Sequence, residues 1–323
     1  MKHFFYKILV FGLPLLLLTF ALDLFISNNL KLSNNYHGEY EVWNDIYKGD
    51  IKAEVAIYGS SRAWVQISPE ILKDSLNKDV YNFGIDGNTF PMQYLRHLEY
   101  IKVNQPPKHI IIAVDFNSFK KKKDLYMYKQ FLPYMLWNKN IKTHTQSYNG
   151  FRSLDYSLPL FRYLGKNAFL KKNLNIGLFS KTKENYRING YRGMDKTWTN
   201  DFDKAKKKMS SYKIKIDPET LKLFELFLTE CSKKEIKVTL VYTPEYIEGQ
   251  HFIEDRNQVI DIFKSLANKY KINFIDFSQN AICLNKDLFY NTTHLNKTGS
   301  ELFSRLLVHD LLELKKNTSK SIE

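Results

Sequence analysis

Glu54-Val55-Ala56-Ile57-Tyr58-Gly59-Ser60-Ser61-Arg62 is the stretch that decides the fold. From Glu54 to Tyr58 it is rich in β-branched and aromatic residues, and it stops at a glycine and two serines, as a buried strand does where it meets a turn. Four later runs share that character: Val80–Phe83, His109–Val114, Val238–Tyr242 and Ile272–Ile275. Helical patterns lie between and beyond them, at roughly Pro69–Leu76, Thr89–Val103, Pro218–Lys234, Asp255–Tyr270 and Lys297–Leu312. Most are long enough for the crossovers that join parallel strands. Strand and helix in alternation predict an α/β fold, a three-layer α/β/α sandwich around a doubly wound parallel sheet. Its functional crevice is expected at the carboxyl ends of the strands.

Ser61 then falls at a strand-to-helix turn, where a helix N-terminus offers free N–H groups and a hydroxyl is exposed. A Gly-Ser-Ser turn by itself equally fits ordinary N-cap chemistry. Three further segments end strands or start helices and are expected to line the same crevice. They are Asn82-Phe83-Gly84-Ile85-Asp86-Gly87-Asn88-Thr89, Asp115-Phe116-Asn117-Ser118 and Asn291-Thr292-Thr293-His294-Leu295-Asn296.

In order and spacing these four segments resemble the SGNH (GDSL-like) hydrolases, whose blocks carry serine, glycine, asparagine and histidine in that sequence. The resemblance covers about residues 52 to 315 and implies a flavodoxin-like sheet with a cofactor-free, metal-free acyl-transfer site. Ser61 takes the place of the nucleophile and His294 that of the general base. Ser61, Gly87 and Asn117 take the places of the oxyanion-hole donors. Loss of one such donor typically costs about 10²–10³ in rate.

Two positions depart from the family. Ser60 stands where the first block has aspartate, and Asn291 stands where the last block, Asp-x-x-His, has its acid. An asparagine oxygen can accept the imidazole N–H but brings no charge, and in a serine enzyme Asp→Asn can select the wrong tautomer at a cost of about 10⁴. The open alternatives are a Ser-His dyad, a substitute carboxylate at Asp86 or Asp115, or lost catalysis. Arg62 reads either as a ligand for an anionic substrate group or as a surface ion pair. Ala63 breaks the Gly-x-Ser-x-Gly elbow of the α/β-hydrolases. The chain also lacks a Walker loop, a dinucleotide glycine fingerprint and a His-Glu-x-x-His zinc motif.

The amino terminus carries a second message. From Ile8 to Ile26 the chain is apolar apart from Thr19, Asp23 and Gly12. As a helix this stretch would reach about 28 Å, the thickness of a bilayer core. Lys2 and Lys7 precede it, so the positive-inside rule predicts a cytoplasmic tip and an exported main domain, at the cell surface or in the periplasm. A cleaved signal peptide is the competing reading, but Thr19–Asp23 offers no small-x-small cleavage site. The expected organisation is residues 1–27 as tip and anchor, 28–51 as an Asn-rich stalk, 52–315 as the hydrolase-like domain and 316–323 as a polar tail. Within the domain, residues 116 to about 214 interrupt the β/α rhythm with Lys120–Lys123, Lys206–Lys208 and the aromatics Phe131, Tyr134 and Trp137. That stretch reads as an elaborated insertion, either a binding loop or a structural cover.

The net charge of +14 favours anionic partners. No zinc-finger spacing, homeodomain-like helix or RNP motif accompanies it, so nucleic acid is not an expected partner. Cys231 and Cys283 show no CxxC spacing, and their pairing stays open. Within the superfamily, the Gly-Ser-Ser block and the anchor resemble the membrane-anchored branch that works beside membrane-bound O-acyltransferases, in alginate acetylation or teichoic-acid D-alanylation. The resemblance implies an esterase or O-acyltransferase acting on an envelope glycan or glycolipid, with a membrane-bound O-acyltransferase as a possible partner. A non-catalytic polysaccharide-binding or scaffold protein on the same fold is the alternative.

Overall fold

Five strands, β1 (Val55–Gly59), β2 (Val80–Asn82), β3 (His109–Val114), β5 (Lys237–Tyr242) and β7 (Asn273–Asp276), form one parallel sheet in the order β2-β1-β3-β5-β7. The computed structural model describes residues 2–32, 38–179 and 186–320. In chain order the helices are α1 (Lys2–Lys31), α2 (Glu39–Lys48), α3 (Ser61–Trp64), α4 (Pro69–Leu76), α5 (Phe90–Val103), α6 (Lys139–Thr145), α7 (Asn167–Phe179) and α8 (Asp201–Lys208). They continue with α9 (Pro218–Lys233), α10 (Ile247–His251), α11 (Arg256–Tyr270) and α12 (Lys297–Lys320). Two small pairings complete the set, β4 (Tyr212–Lys213) with β6 (Ile253–Glu254) and β8 (Phe289–Asn291) with β9 (His294–Leu295).

The chain divides into two units, Met1–Asn44 with Lys123–Tyr186, and Asp45–Lys122 with Arg187–Glu323. The second holds the sheet. Its central strands are buried on both faces, which is why they read as continuous apolar runs rather than as alternation. Val55, Ile57, Ile111 and Ala113 point to one side, where Leu72 of α4 and Phe303, Leu307 and Leu311 of α12 close the core. Tyr58 points to the other side, against Phe83, His97 of α5 and Phe227 of α9. The three-layer α/β/α arrangement is thus in place. The strand order places the topological switch between β1 and β3, where parallel α/β folds keep their ligand crevice.

The first unit differs from the sequence expectation. Among the described residues of the expected stalk, α1 runs on through Lys31, and α2 places Tyr40, Val42, Trp43 and Ile46 in buried positions instead of an extended polar segment. Trp43 donates its indole N–H to Gln130 Oε1 at 3.0 Å and packs edge-on against Phe131. Packing of this kind overrides the loop preference of an Asn-rich composition. Of the two Ser-Asn-Asn runs in this region, Ser27–Asn29 belongs to α1, and Ser33–Asn35 lies outside the described residues. The span 116–214 is shared, with 123–186 in the first unit and the remainder in the second. The expected polar tail from 316 is helical as far as Lys320. Over Val10–Lys31, α1 has a mean hydropathy of 2.1, long and apolar enough to cross a membrane by length and composition.

Candidate active site

The turn after β1 is built around Gly59, whose φ of +150° is reserved for glycine and whose Cβ would lie 2.8 Å from the Ala113 carbonyl oxygen of the neighbouring strand. Ser60 caps the short helix α3, its Oγ accepting from the Arg62 N–H. Ser61 is therefore the first helical residue, at a position whose N–H has no intrahelical acceptor. The loop after β2 lies directly against α3, because a side chain at Gly84 would meet the Trp64 nitrogen at 2.5 Å.

The structure brings Ser61 and His294 together although 233 residues separate them: Ser61 Oγ is 2.7 Å from His294 Nε2. The other ring nitrogen, Nδ1, is 2.9 Å from Asn291 Oδ1 and 3.0 Å from Thr293 Oγ1. The Thr293 backbone N–H donates to the same Asn291 oxygen at 3.1 Å. A backbone N–H needs an acceptor, so the atom facing the imidazole is the asparagine oxygen and not its NH₂. It follows that Nδ1 carries the hydrogen and that Nε2 is left as an acceptor for the Ser61 hydroxyl. Asn291 thus selects the tautomer that an aspartate would select, without the charge.

The histidine loop is tied down from several directions. Gln66 Nε2 donates to the Thr293 carbonyl at 2.8 Å, the Tyr246 N–H to the Thr292 carbonyl at 2.9 Å, and the Thr199 N–H to the Tyr290 carbonyl at 2.8 Å. The Tyr290 ring is stacked on the imidazole, with centroids 5.3 Å apart and planes within 10°. Loss of hydration around the ring, reinforced by Arg62 and Lys196 and opposed by Asp201, pushes protonation of His294 down to about 3. The ring is therefore neutral at physiological pH.

A pocket of about 110 Å³ opens beside these groups, lined by Ser61, Gly87, Asn117, Lys122, Thr293 and His294 among others. Gly87 adopts φ +60°, and its carbonyl accepts from Lys122 Nζ at 2.5 Å. Asn117 is oriented by a relay from outside the crevice. Lys120 Nζ, a donor only, bonds the Tyr212 oxygen at 2.8 Å, and the Tyr212 hydroxyl donates to Asn117 Oδ1 at 2.7 Å. The asparagine NH₂ remains for the pocket. Among the described residues no group of three or more His, Cys, Asp or Glu is arranged to hold a metal ion.

Three solved structures are similar to this chain at low identity. An assigned acylhydrolase of Bacteroides fragilis is 13% identical over 80% of this chain and 87% of its own, with a TM-score of 0.35. A GDSL-like lipase of Bacteroides thetaiotaomicron is 12% identical over 86% and 100%, with a TM-score of 0.38. An acetyl xylan esterase is 16% identical over 80% and 98%, with a TM-score of 0.40. No family model and no curated protein sequence matches the chain.

Several expectations change in the structure. Asp115 does not serve the imidazole: its carboxylate accepts from Ser60 Oγ at 2.8 Å and from the Asn117 N–H at 2.7 Å. Among the described residues, Asp86 does not line the pocket. Arg62 is neither a surface ion pair nor an open anion ligand. It is 3% exposed and bonds Glu245 Oε1 at 2.5 Å and the Thr243 carbonyl at 2.5 Å. Cys231 and Cys283 are unpaired and buried, which pushes their thiols up to about 12 and about 11. Tyr290, Tyr212 and Glu245 were not singled out from sequence. Tyr290 stands next to the Asn291–His294 motif, whereas Tyr212 meets Asn117 and Glu245 meets Arg62 across long stretches of chain that leave no local pattern.

Proposed function

We propose that this protein is a membrane-anchored serine esterase or O-acyltransferase acting on short acyl esters of an envelope polysaccharide or glycolipid. The observation that carries the reading is the Ser61–His294–Asn291 relay, with hydrogen bonds of 2.7 and 2.9 Å and a defined tautomer. In this reading Ser61 Oγ attacks the ester carbonyl while its proton passes to His294 Nε2. The Ser61 and Gly87 N–H groups and the Asn117 NH₂ receive the oxyanion. The tetrahedral intermediate collapses, the C–O bond to the alcohol breaks, and the departing oxygen takes the proton from Nε2. Water or an acceptor hydroxyl then attacks the acyl-serine by the same steps in reverse. The pocket is lined mostly by polar residues, among them Gln93, Asp115, Asn117 and Lys122, which suits a short acyl group rather than a fatty chain. A transfer reaction would call for a membrane-bound O-acyltransferase as the source of acyl groups.

One observation favours a second reading, a non-catalytic polysaccharide-binding or scaffold protein. A base protonated only near pH 3 is weak, since proton transfer works best when the catalytic pKa lies near the working pH. A chromogenic acetyl ester offered to the full chain in detergent separates the two. The enzyme reading expects Ser61→Ala to reduce turnover by about 10⁴-fold or more. Equal background rates for the two proteins would leave the binding reading.

A further inference from the structure

The first unit contains a feature that the proposed acyl chemistry does not use. Leu15, Leu16, Leu17 and Leu18 of α1 are 52–65% exposed, and its outward side chains stay apolar and exposed through Leu22, Leu24 and Phe25. The opposite face of the same helix is covered from Asp23 onwards. Arg162 reaches Asp23 with two bonds of 2.7 and 2.6 Å, the Leu160 N–H adds a third at 2.6 Å, and Ser27 bonds the Tyr163 hydroxyl at 2.7 Å. Asp23 and Arg162 are each 1% exposed, and such a pair survives away from water only when its hydrogen bonds are satisfied in this way. One turn earlier, Phe20 is stacked on Trp137 with centroids 5.3 Å apart.

Trp137 is itself 65% exposed, and its indole N–H donates to the Ser157 carbonyl at 3.0 Å. That bond joins it to the segment that clamps Asp23, where Leu154, Leu158 and Leu164 are also exposed. Trp137 stands beside a helix whose free face is still apolar at Phe25, about 7.5 Å further along the axis than Phe20, and Leu158 and Leu164 flank in sequence the residues that bond Asp23 and Ser27. Lipid that covers Leu22, Leu24 and Phe25 therefore also reaches Trp137 and its neighbours. Charge agrees. Residues 123–186 hold eleven Lys and Arg against three Asp and Glu, and Lys139 and Lys142 are exposed on the helix that follows Trp137. Tryptophan beside basic residues is the composition of a membrane–water interface facing anionic headgroups.

The structure assigns to Trp137, Leu154, Leu158 and Leu164 the role of a collar embedded in the bilayer interface around α1, with the basic residues of the same unit on the headgroups. The assignment rests on the reading of α1 as a membrane span. It makes the insertion a membrane-seated element rather than a glycan-binding loop, and it fixes the first unit at the surface instead of leaving it on a flexible tether.

Spin labels test this in the full chain reconstituted into vesicles of mixed phosphatidylglycerol and phosphatidylcholine. Leu158→Cys and Leu164→Cys report on the collar and Leu16→Cys on the span. Cys231 and Cys283 are buried, and the unsubstituted chain controls for their labelling. The expected result is loss of access to a water-soluble nickel chelate at all three positions, with oxygen still relaxing the labels. Collar labels that the chelate reaches freely, while Leu16→Cys stays protected, would overturn the collar and leave the anchor standing. Free chelate access at Leu16→Cys as well would overturn the anchor and the collar together.

Discussion

Two sets of side chains meet at the Gly59–Arg62 turn, a front set on the Ser61 hydroxyl and a back set on Ser60 and Arg62, and they differ in charge although Ser60, Arg62 and Asp115 line the same pocket as Ser61. In front, Ser61, His294 and Asn291 form a relay with no ionised group. Behind, Ser60 is bound to the Asp115 carboxylate and Arg62 to the Glu245 carboxylate, with Glu245 also accepting from the Tyr242 hydroxyl at 3.0 Å. The acids of the site are thus spent on building the turn, and the imidazole is left to a neutral amide. Charge beside a serine and charge on the histidine it meets are separable, and this chain keeps the first without the second.

Removing charge from behind the turn should have the largest effect. Arg62→Leu leaves the buried Glu245 with Arg256, 3.8 Å away, as its remaining cationic partner, and loss of one member of a buried pair costs up to about 3–5 kcal/mol. Denaturant unfolding of the full chain in detergent should show a lower midpoint of that order. An unchanged midpoint would mean that the pair holds nothing together. In front, Asn291→Ala removes the acceptor that fixes the tautomer while Thr293 still offers its hydroxyl. Turnover should fall by about 10²-fold, or about 2.7 kcal/mol, with little change in stability. A fall in stability instead of rate would move Asn291 to the structural set.

The neutral state of the imidazole also makes a prediction about pH. Burial holds His294, His97 and His109 neutral down to about 3, whereas in the unfolded chain they take up protons near 6.5. Between those values the unfolded state binds more protons, so stability is greatest above about pH 7 and falls as pH drops through 6.5 toward 3. At pH 5 each histidine should contribute a loss of about 2 kcal/mol. A thermal midpoint that stays constant from pH 7 to pH 5 would contradict their burial as neutral groups. The smallest effect is the most specific. Asn291→Asp gives the imidazolium a carboxylate and should raise turnover by roughly tenfold. It should also bring the acid limb of the rate profile up toward the ordinary histidine range, where the native chain stays flat to about pH 5. An unshifted limb would mean that Asn291 does not set the behaviour of His294.

The difference between the two sets also explains what the sequence could reveal. The strands were legible because β1, β3 and β5 are buried on both faces and leave unbroken apolar runs. The members of the front relay were legible as residue types in strand-end segments, Asn291 and His294 being only three residues apart. The back set was not. Glu245 lies 183 residues from Arg62, and nothing near either one shows that they pair. By position Asp115 reads as a spare carboxylate for the imidazole, but its oxygens bond Ser60 and Asn117 instead. Residues 39–48 failed for a related reason: Tyr40 and Trp43 have helical spacing, but their partners Gln130, Phe131 and Tyr134 lie far along the chain. Local patterning reports faces and turns, while long-range pairing decides which polar group serves which.

The most direct test of the account is covalent labelling of Ser61. The full chain is treated with a fluorophosphonate at neutral pH, and the adduct is located by peptide mass. The neutral relay predicts one adduct on Ser61, absent from Ser61→Ala and strongly slowed in His294→Ala. No adduct on the native chain, or labelling at the same rate without His294, would contradict the claim that this imidazole activates this hydroxyl.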